Sequence, residues 1–344
     1  MIGSRLRSAR LAAGMSQEEL GAAIGVSKMA VSKYESGAVV PGSGRLVALA
    51  EALGVPVSWI LEPAPPSGVR PLAVRAHPLR GELSGRASSA LLAQAAAWLE
   101  RYRAAESAAG SVPRVDPPLV SLRVASLDEV EAAAERVREA WGLGGGPLPS
   151  VTEALEDHGV PVMLGDAPPA VDALAIVADD GRGAVIANPQ PGDRQRFSLA
   201  HELAHLLLVP DQSLGEEAAA HRFAAAFLVP ADAARRELGV RRRALSVDEL
   251  RGLKRKYGLS MQAWVRRARE LGIVSRRTAQ ALLSDMRSWG WEAAEPDEGV
   301  RPEVPGRLER LVLRALVEGN VTESRAAELL AAPVASLRDH LRSA

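Results

Sequence analysis

Apolar positions recur at helical spacing along most of the chain, and stretches rich in proline and glycine cut that periodicity into blocks. Residues 2–61 carry it first, until Pro63-Ala64-Pro65-Pro66-Ser67-Gly68 interposes a segment that cannot continue a helix. From about residue 86 to 109, Leu91, Leu92, Ala95, Trp98, Leu99 and Tyr102 predict an amphipathic helix. Ser126-Leu127-Asp128-Glu129 has the capping-box pattern ahead of a helix running to Trp141, and Gly142 to Pro149 ends it. Ser150-Val151-Thr152-Glu153 repeats the device. Strand patterns appear only at 159–164, 173–178 and 184–188, and the last two flank Asp179-Asp180-Gly181-Arg182-Gly183, which predicts a hairpin. Beyond residue 193 the pattern is helical to the end, punctuated by Pro210, Pro230, Pro296, Pro302 and Pro305. The expected fold is mainly α with a small β-sheet, of the α+β class. Five segments are expected: 1–62, a linker with one amphipathic helix at 63–125, then 126–240, a basic helical extension at 241–292 and a helical tail at 293–344.

A chain of 344 residues, at about 150 residues per domain, holds two to three domains. Lysine plus arginine (42) balance aspartate plus glutamate (42), so any affinity for nucleic acid has to be local. It is uneven: residues 235–287 hold 15 basic and 5 acidic side chains, whereas residues 126–157 hold eight acids and two arginines. Such blocks are solvated helix faces or, for the basic one, a second surface for an anionic partner. The absence of cysteine excludes disulfides, thiolate zinc sites, iron–sulfur clusters and cysteine nucleophiles, and suits a reducing compartment. Any metal must sit on His, Asp or Glu. No stretch approaches the roughly 18 apolar residues of a membrane span, and the expected location is cytoplasmic, with no membrane partner. Hydrophobic residues make up 47% of the chain but aromatics only 3%, so the core is expected to be helices packed through Ala, Leu and Val.

Residues 16–36 have the layout of a helix-turn-helix. Ser16 caps a helix beginning Gln17-Glu18-Glu19-Leu20, Gly25 makes the turn, and Ser27 caps the second helix. Leu6, Leu20, Ile24, Val26, Val31 and Leu49 would form the core, leaving Ser27, Lys28, Met29, Ser32 and Lys33 outward, where lysine reaches phosphate or guanine. Met15-Ser16-Gln17-Glu18-Glu19-Leu20, Gly25-Val26-Ser27 and Val31-Ser32-Lys33-Tyr34-Glu35-Ser36-Gly37 resemble XRE-type, lambda-repressor-like DNA-binding domains over residues 2–61. That resemblance implies a five-helix bundle binding double-stranded operator DNA as a homodimer, with Gln17 placed for backbone contact and residues 27–33 reading bases. Residues 1–60 hold six basic and four acidic side chains, a weak excess that makes dimerisation matter. The competing reading is a bundle used for protein contacts.

His201-Glu202-Leu203-Ala204-His205 is the sharpest signal in the chain. Two histidines at i and i+4 share one helix face and can reach a single cation, while the adjacent Glu points at the water beside it. Chance expects only about 0.01 such matches in this composition. Phe197, Leu199, Ala200, Leu203, Ala204, Leu206, Leu207 and Leu208 make the helix apolar almost all round, so it is expected to be buried, and buried imidazoles beside a carboxylate are costly unless something satisfies them. A hydrogen-bonded pair of core histidines is the bland alternative. A third ligand is needed. Glu217, Ala220, Ala224 and Phe227 share one side of the next helix; Asp211 is a loop alternative, Glu216 falls about 100° away from Glu217, and His221 could reach the metal or a developing oxyanion.

The run Arg194 to Leu208, with Glu217, Ala220-His221, Phe223-Ala224 and Leu228-Val229-Pro230, resembles ImmA/IrrE-type metallopeptidases, from about residue 126 to 290 and including Tyr257-Gly258-Leu259-Ser260. That resemblance implies His201, His205 and Glu217 as ligands and Glu202 as the general base, with Ala204 standing where glycine is frequent and His221 where asparagine is frequent. Zn2+ is the expected metal for such a donor set, with Mn2+ and Fe2+ as alternatives. Glu202 would take a proton from water acidified by the cation and return it to the leaving amine. Relatives typically cleave a DNA-binding repressor, so the expectation is a regulator that binds operator DNA and carries a site-specific peptidase acting on a repressor or antitoxin-like protein. The alternative is a metal-binding transcription factor that senses a ligand or partner without turnover. Thr322 to Leu330 followed by Val334 to Leu341 echoes a helix-turn-helix, though a packing or dimerising helical pair is favoured.

Overall fold

A computed structural model describes residues 2–61, 69–71, 85–111, 122–165, 171–178, 181–292, 294–296 and 299–343. The proline cluster at 63–68 and the hairpin tip at 179–180 lie outside them. In chain order the elements are α1 (Ile2–Ala12), α2 (Gln17–Ile24), α3 (Lys28–Glu35), α4 (Ser43–Leu53), α5 (Val57–Leu61), β1 (Val69–Pro71) and α6 (Gly85–Ala108). There follow β2 (Leu122–Val124), α7 (Leu127–Ala140), α8 (Val151–Asp157), β3 (Val162–Leu164), β4 (Ala173–Ala178), β5 (Gly183–Ala187), α9 (Gly192–Leu207) and β6 (Leu208–Pro210). The rest is helical: α10 (Glu216–Leu228), α11 (Ala231–Leu238), α12 (Val247–Tyr257), α13 (Met261–Glu270), α14 (Arg276–Ser288), α15 (Arg307–Val317), α16 (Glu323–Leu330) and α17 (Val334–Ser343). Helix dominates and the sheets are small, as the hydrophobic pattern predicts.

The chain divides into two compact units, one of Met1–Pro113, Val177–Arg182 and Gly306–Ala344, the other of Arg114–Ile176 and Gly183–Pro305. In the first unit α1–α5 close around Leu6, Leu20, Ile24, Val31, Leu49 and Ile60, with Val26 packed at the margin. Arg5 leaves this bundle to clasp Glu100 of α6 through its two terminal guanidinium nitrogens, at 2.5 and 2.6 Å. The same C-terminal half of α6 contributes Tyr102 and Ala105 to a second core with Leu311, Val312 and Leu329 of α15 and α16. Much of the apolar surface of α15 and α16 is therefore covered by α6.

In the second unit residues 173–176 of β4, then β5 and β3, lie side by side, with β3 parallel to β5. The strand pattern at 159–164 narrows to 162–164, and Pro161, which has no N–H to give, accepts from the Val185 N–H instead. Strands are not confined to 159–188. β2 and β6 pair in parallel, Leu122 opposite Leu208, and three residues apiece are too few to show alternation. Ser126 caps α7 by accepting from the Glu129 N–H, but Glu129 turns back to the Ala125 N–H rather than to Ser126.

Buried ion pairs lock the helices that carry the histidines. Arg267, fully buried, pairs with Glu131, which also meets Arg222 of α10 at 2.8 Å. Arg138 donates to the carbonyls of Phe227, Gly144 and Gly146, tying the 142–149 turn to the end of α10. Glu303 accepts from the backbone N–H groups of Val151 and Thr152 at the start of α8 and pairs with Arg196 of α9. An acidic group there also complements the positive end of the α8 dipole.

Candidate metal centre and helix-turn-helix face

α9 is buried through Leu199, Ala200, Leu203, Ala204 and Leu207, which leaves one stripe for polar chemistry. His201 and His205 lie on that stripe with their Nε2 atoms 3.1 Å apart. α10 follows after Gly215, whose φ of +79° sets the helix entry, and its small buried residues Ala219, Ala220 and Ala224 let it pack closely on α9. Glu217, in the first turn of α10, brings Oε2 to 3.4 Å from His201 Nε2 and Oε1 to 3.7 Å from His205 Nε2. Among the described residues this trio is the group whose donor atoms gather, all within 4.8 Å of one another, as a metal site requires.

The spacing has a simple test. Tetrahedral ligands about 2.05 Å from one zinc ion stand ~3.3 Å from each other. The 3.1 Å between the imidazoles, and the 3.4 and 3.7 Å from them to one and the other carboxylate oxygen of Glu217, lie around that value. Two imidazoles facing each other through Nε2 need a proton or a cation between them, and burial, followed by the nearby His201, pushes the His205 pKa down, favouring the neutral imidazole that a metal ligand must be. Glu217 is drawn down to about 2, chiefly by the hydrogen bond from His201, and is therefore an anion. The donor set fits a divalent cation.

Glu202 has a different setting. Its Oε2 accepts from the Ala175 N–H of β4 at 2.7 Å, and burial raises its pKa, outweighing the neighbouring His201 and that hydrogen bond, which act the other way. Ala175 escapes sequence reading because the group it contributes belongs to the backbone. Of the alternative ligands, Glu216 and Asp211 are exposed and stand outside the trio. His221 is exposed, its ring edge-on to His201 at 4.8 Å and 5.6 Å from Phe197.

In the first unit Ser16 forms a complete capping box with Glu19, and Gly25 adopts the left-handed conformation at the end of α2. Gly21 faces the following turn so closely that a Cβ would lie 2.7 Å from the Val26 carbonyl oxygen. The sequence therefore fixes both the turn and the closeness of α2 to it. Lys28, Met29, Ser32 and Lys33 are exposed, while the Ser27 hydroxyl accepts from the Ala30 N–H as the cap of α3. Gln17 does not hang free: its amide donates to Glu35 at 2.8 Å, and Glu35 is held in turn by Arg10. Arg10 and Glu35 were legible only as charges, because the pair closes across 25 residues.

Comparison with known proteins agrees with both resemblances. Residues 6–60 match the helix-turn-helix family and residues 155–269 match the IrrE N-terminal-like domain, a peptidase family. Over 67 residues the chain is 43% identical to HTH-type transcriptional regulators of Sinorhizobium medicae and Rhizobium meliloti, a stretch covering 20% of this chain and 48% of each relative. A Sinorhizobium fredii HTH-type regulator is 44% identical over 64 residues, covering 19% of this chain and 45% of its own. The chain spans about half the length of these curated relatives. It thus joins an XRE-type helix-turn-helix segment to an IrrE/ImmA-like segment.

Proposed function

We propose that this protein is a transcriptional regulator that binds operator DNA through α2–α3 and carries a site-specific zinc metallopeptidase whose substrate is a repressor or antitoxin-like protein. The observation that carries the reading is the gathering of His201, His205 and Glu217 into one donor set with Glu202 beside it. His201, His205 and Glu217 would hold the cation. When bound, it would supply Lewis acidity, polarising a peptide carbonyl and acidifying water. Glu202, kept protonatable by burial and aimed by the Ala175 N–H, would take a proton from water and pass it to the leaving amine. His221 stands at the rim, where its ring could meet a substrate oxygen.

Lys28, Met29, Ser32 and Lys33 would face the DNA, with Ser27 and Gln17 at the two helix starts, and a homodimer would offset the weak charge of the bundle. Among the described residues no helix is long and apolar enough to cross a membrane. With the absence of cysteine, that supports action in the cytoplasm. The test is cleavage of repressors encoded at its own locus, with zinc, by wild-type protein and by Glu202→Gln. The substitution keeps the donor trio and removes the base, so equal cleavage by both refutes peptidase action. Regulation that survives in Glu202→Gln and fails in His201→Ala would instead identify a non-catalytic metal-bearing sensor.

A further inference from the structure

The first unit contains a cavity of about 620 Å3, remote in kind from the metal chemistry and used by nothing described so far. Its volume lies in the range of small-molecule sites. Four parts of the unit wall it: α1, the turn into α5, α6, and the joint between α16 and α17. Most of the lining is apolar, through Ala9, Val55, Trp59, Ala104, Leu329 and Val334.

The charged groups on the wall decide what the cavity suits. Glu100 has both oxygens taken by Arg5, and Arg325 is paired with Glu328 at 2.9 Å. Arg101, on α6 beside Glu100, has no hydrogen-bond or ion-pair partner among the described residues, and its Nε is fully shielded from solvent without one. Burial lowers its pKa, opposed by Glu100, so the cation is poorly solvated where it stands. A desolvated guanidinium at the edge of an apolar chamber gains most from an anion that brings its own apolar body.

We propose that this cavity is a binding site for an amphipathic monocarboxylate, its carboxylate on Arg101 and its apolar part against Trp59 and the alanine and leucine side chains. A molecule seated there touches the helix-turn-helix bundle, α6 and the tail at once. Its occupancy would therefore fix how the bundle sits on α6.

The experiment titrates the full-length chain with straight-chain carboxylates from butanoate to dodecanoate, and with the matching alcohols, following tryptophan emission. Saturable binding of at least one carboxylate, about tenfold or more tighter than its alcohol, is the expected result, that being the loss usual for one charge-assisted hydrogen bond. Arg101→Met removes the preference, Arg101→Lys keeps most of it, and Ala104→Trp, which fills the chamber, abolishes binding of both series. Three results would overturn the site: no saturable binding by any member, equal binding of acid and alcohol, or a preference that persists in Arg101→Met. Should circular dichroism show Arg101→Met unfolded, the other two variants decide. Retention in Arg101→Lys with loss in Ala104→Trp supports the site, and unchanged binding in Ala104→Trp refutes it.

Discussion

The α2–α3 pair turns its polar side chains toward solvent, whereas α9–α10 turns two imidazoles and a carboxylate toward its own seam. In each pair a glycine of positive φ, Gly25 or Gly215, lies in the connection between the two helices. The difference is in how much freedom their functional groups retain. On an exposed face a side chain can be diverted to a local partner, as Ser27 is to its helix cap and Gln17 to Glu35. In a buried seam the desolvation cost of an unmatched polar group leaves few arrangements, so the residue types by themselves nearly specify the geometry. Chemistry that faces inward is therefore the easier kind to read from sequence.

Removing the carboxylate proposed as general base is the most severe test of that contrast. Glu202→Gln is expected to lower cleavage by about 10²–10⁴-fold while zinc content stays at the wild-type level, measured by metal analysis and a peptide-bond assay side by side. Loss of zinc in this variant would mean that Glu202 belongs to the donor set. Stripping the metal with a chelator comes next. At saturating zinc a bound ion stabilises the folded form by about 3–4 kcal/mol, so calorimetry should show the IrrE-like segment melting several degrees lower and recovering on zinc addition, with the melting of the helix-turn-helix bundle unmoved. A common shift of both would couple regions that the contrast keeps apart.

Gly21→Val tests the outward-facing pair. The new side chain meets the Val26 carbonyl oxygen, and a loss of about 1–3 kcal/mol in urea denaturation is expected, confined to the bundle. The smallest effect belongs to single exposed lysines. Lys28→Ala and Lys33→Ala should each lower affinity for duplex DNA from the chain's own upstream region, reducing the slope of log affinity against log salt by about 1. A variant that leaves the slope unchanged would remove that lysine from the DNA face.

What the sequence made legible follows the range of each interaction. Ser16, Ser27, Ser126 and Ser150 cap their helices through partners three residues away, so a window of four residues contains the whole device. The spacing of His201 and His205 is likewise contained in one helical turn, and the approach of Glu217 needed only one further turn and helix. Arg196–Glu303, Arg267–Glu131 and Arg5–Glu100 each close across roughly a hundred residues, where charge alone cannot name a partner. The parallel pair β2–β6 was invisible for a second reason, since β6 begins where α9 ends and inherits its apolar composition. The basic excess of 235–287 was partly misleading: Arg267 and Lys254 lie buried against acids, and Arg242 and Lys256 are paired as well.

Glu303 has a practical consequence for dissecting this protein. The composition of the chain suggests a break near residue 292, yet the carboxylate that both starts α8 and neutralises Arg196 arrives from residue 303, and Gln195 exchanges two hydrogen bonds with the same backbone. A fragment cut at 292 would leave the buried Arg196 guanidinium, on the very helix that bears the histidines, without its carboxylate and held by the Leu148 and Pro149 carbonyls alone. One extended to Pro305 would retain the clasp.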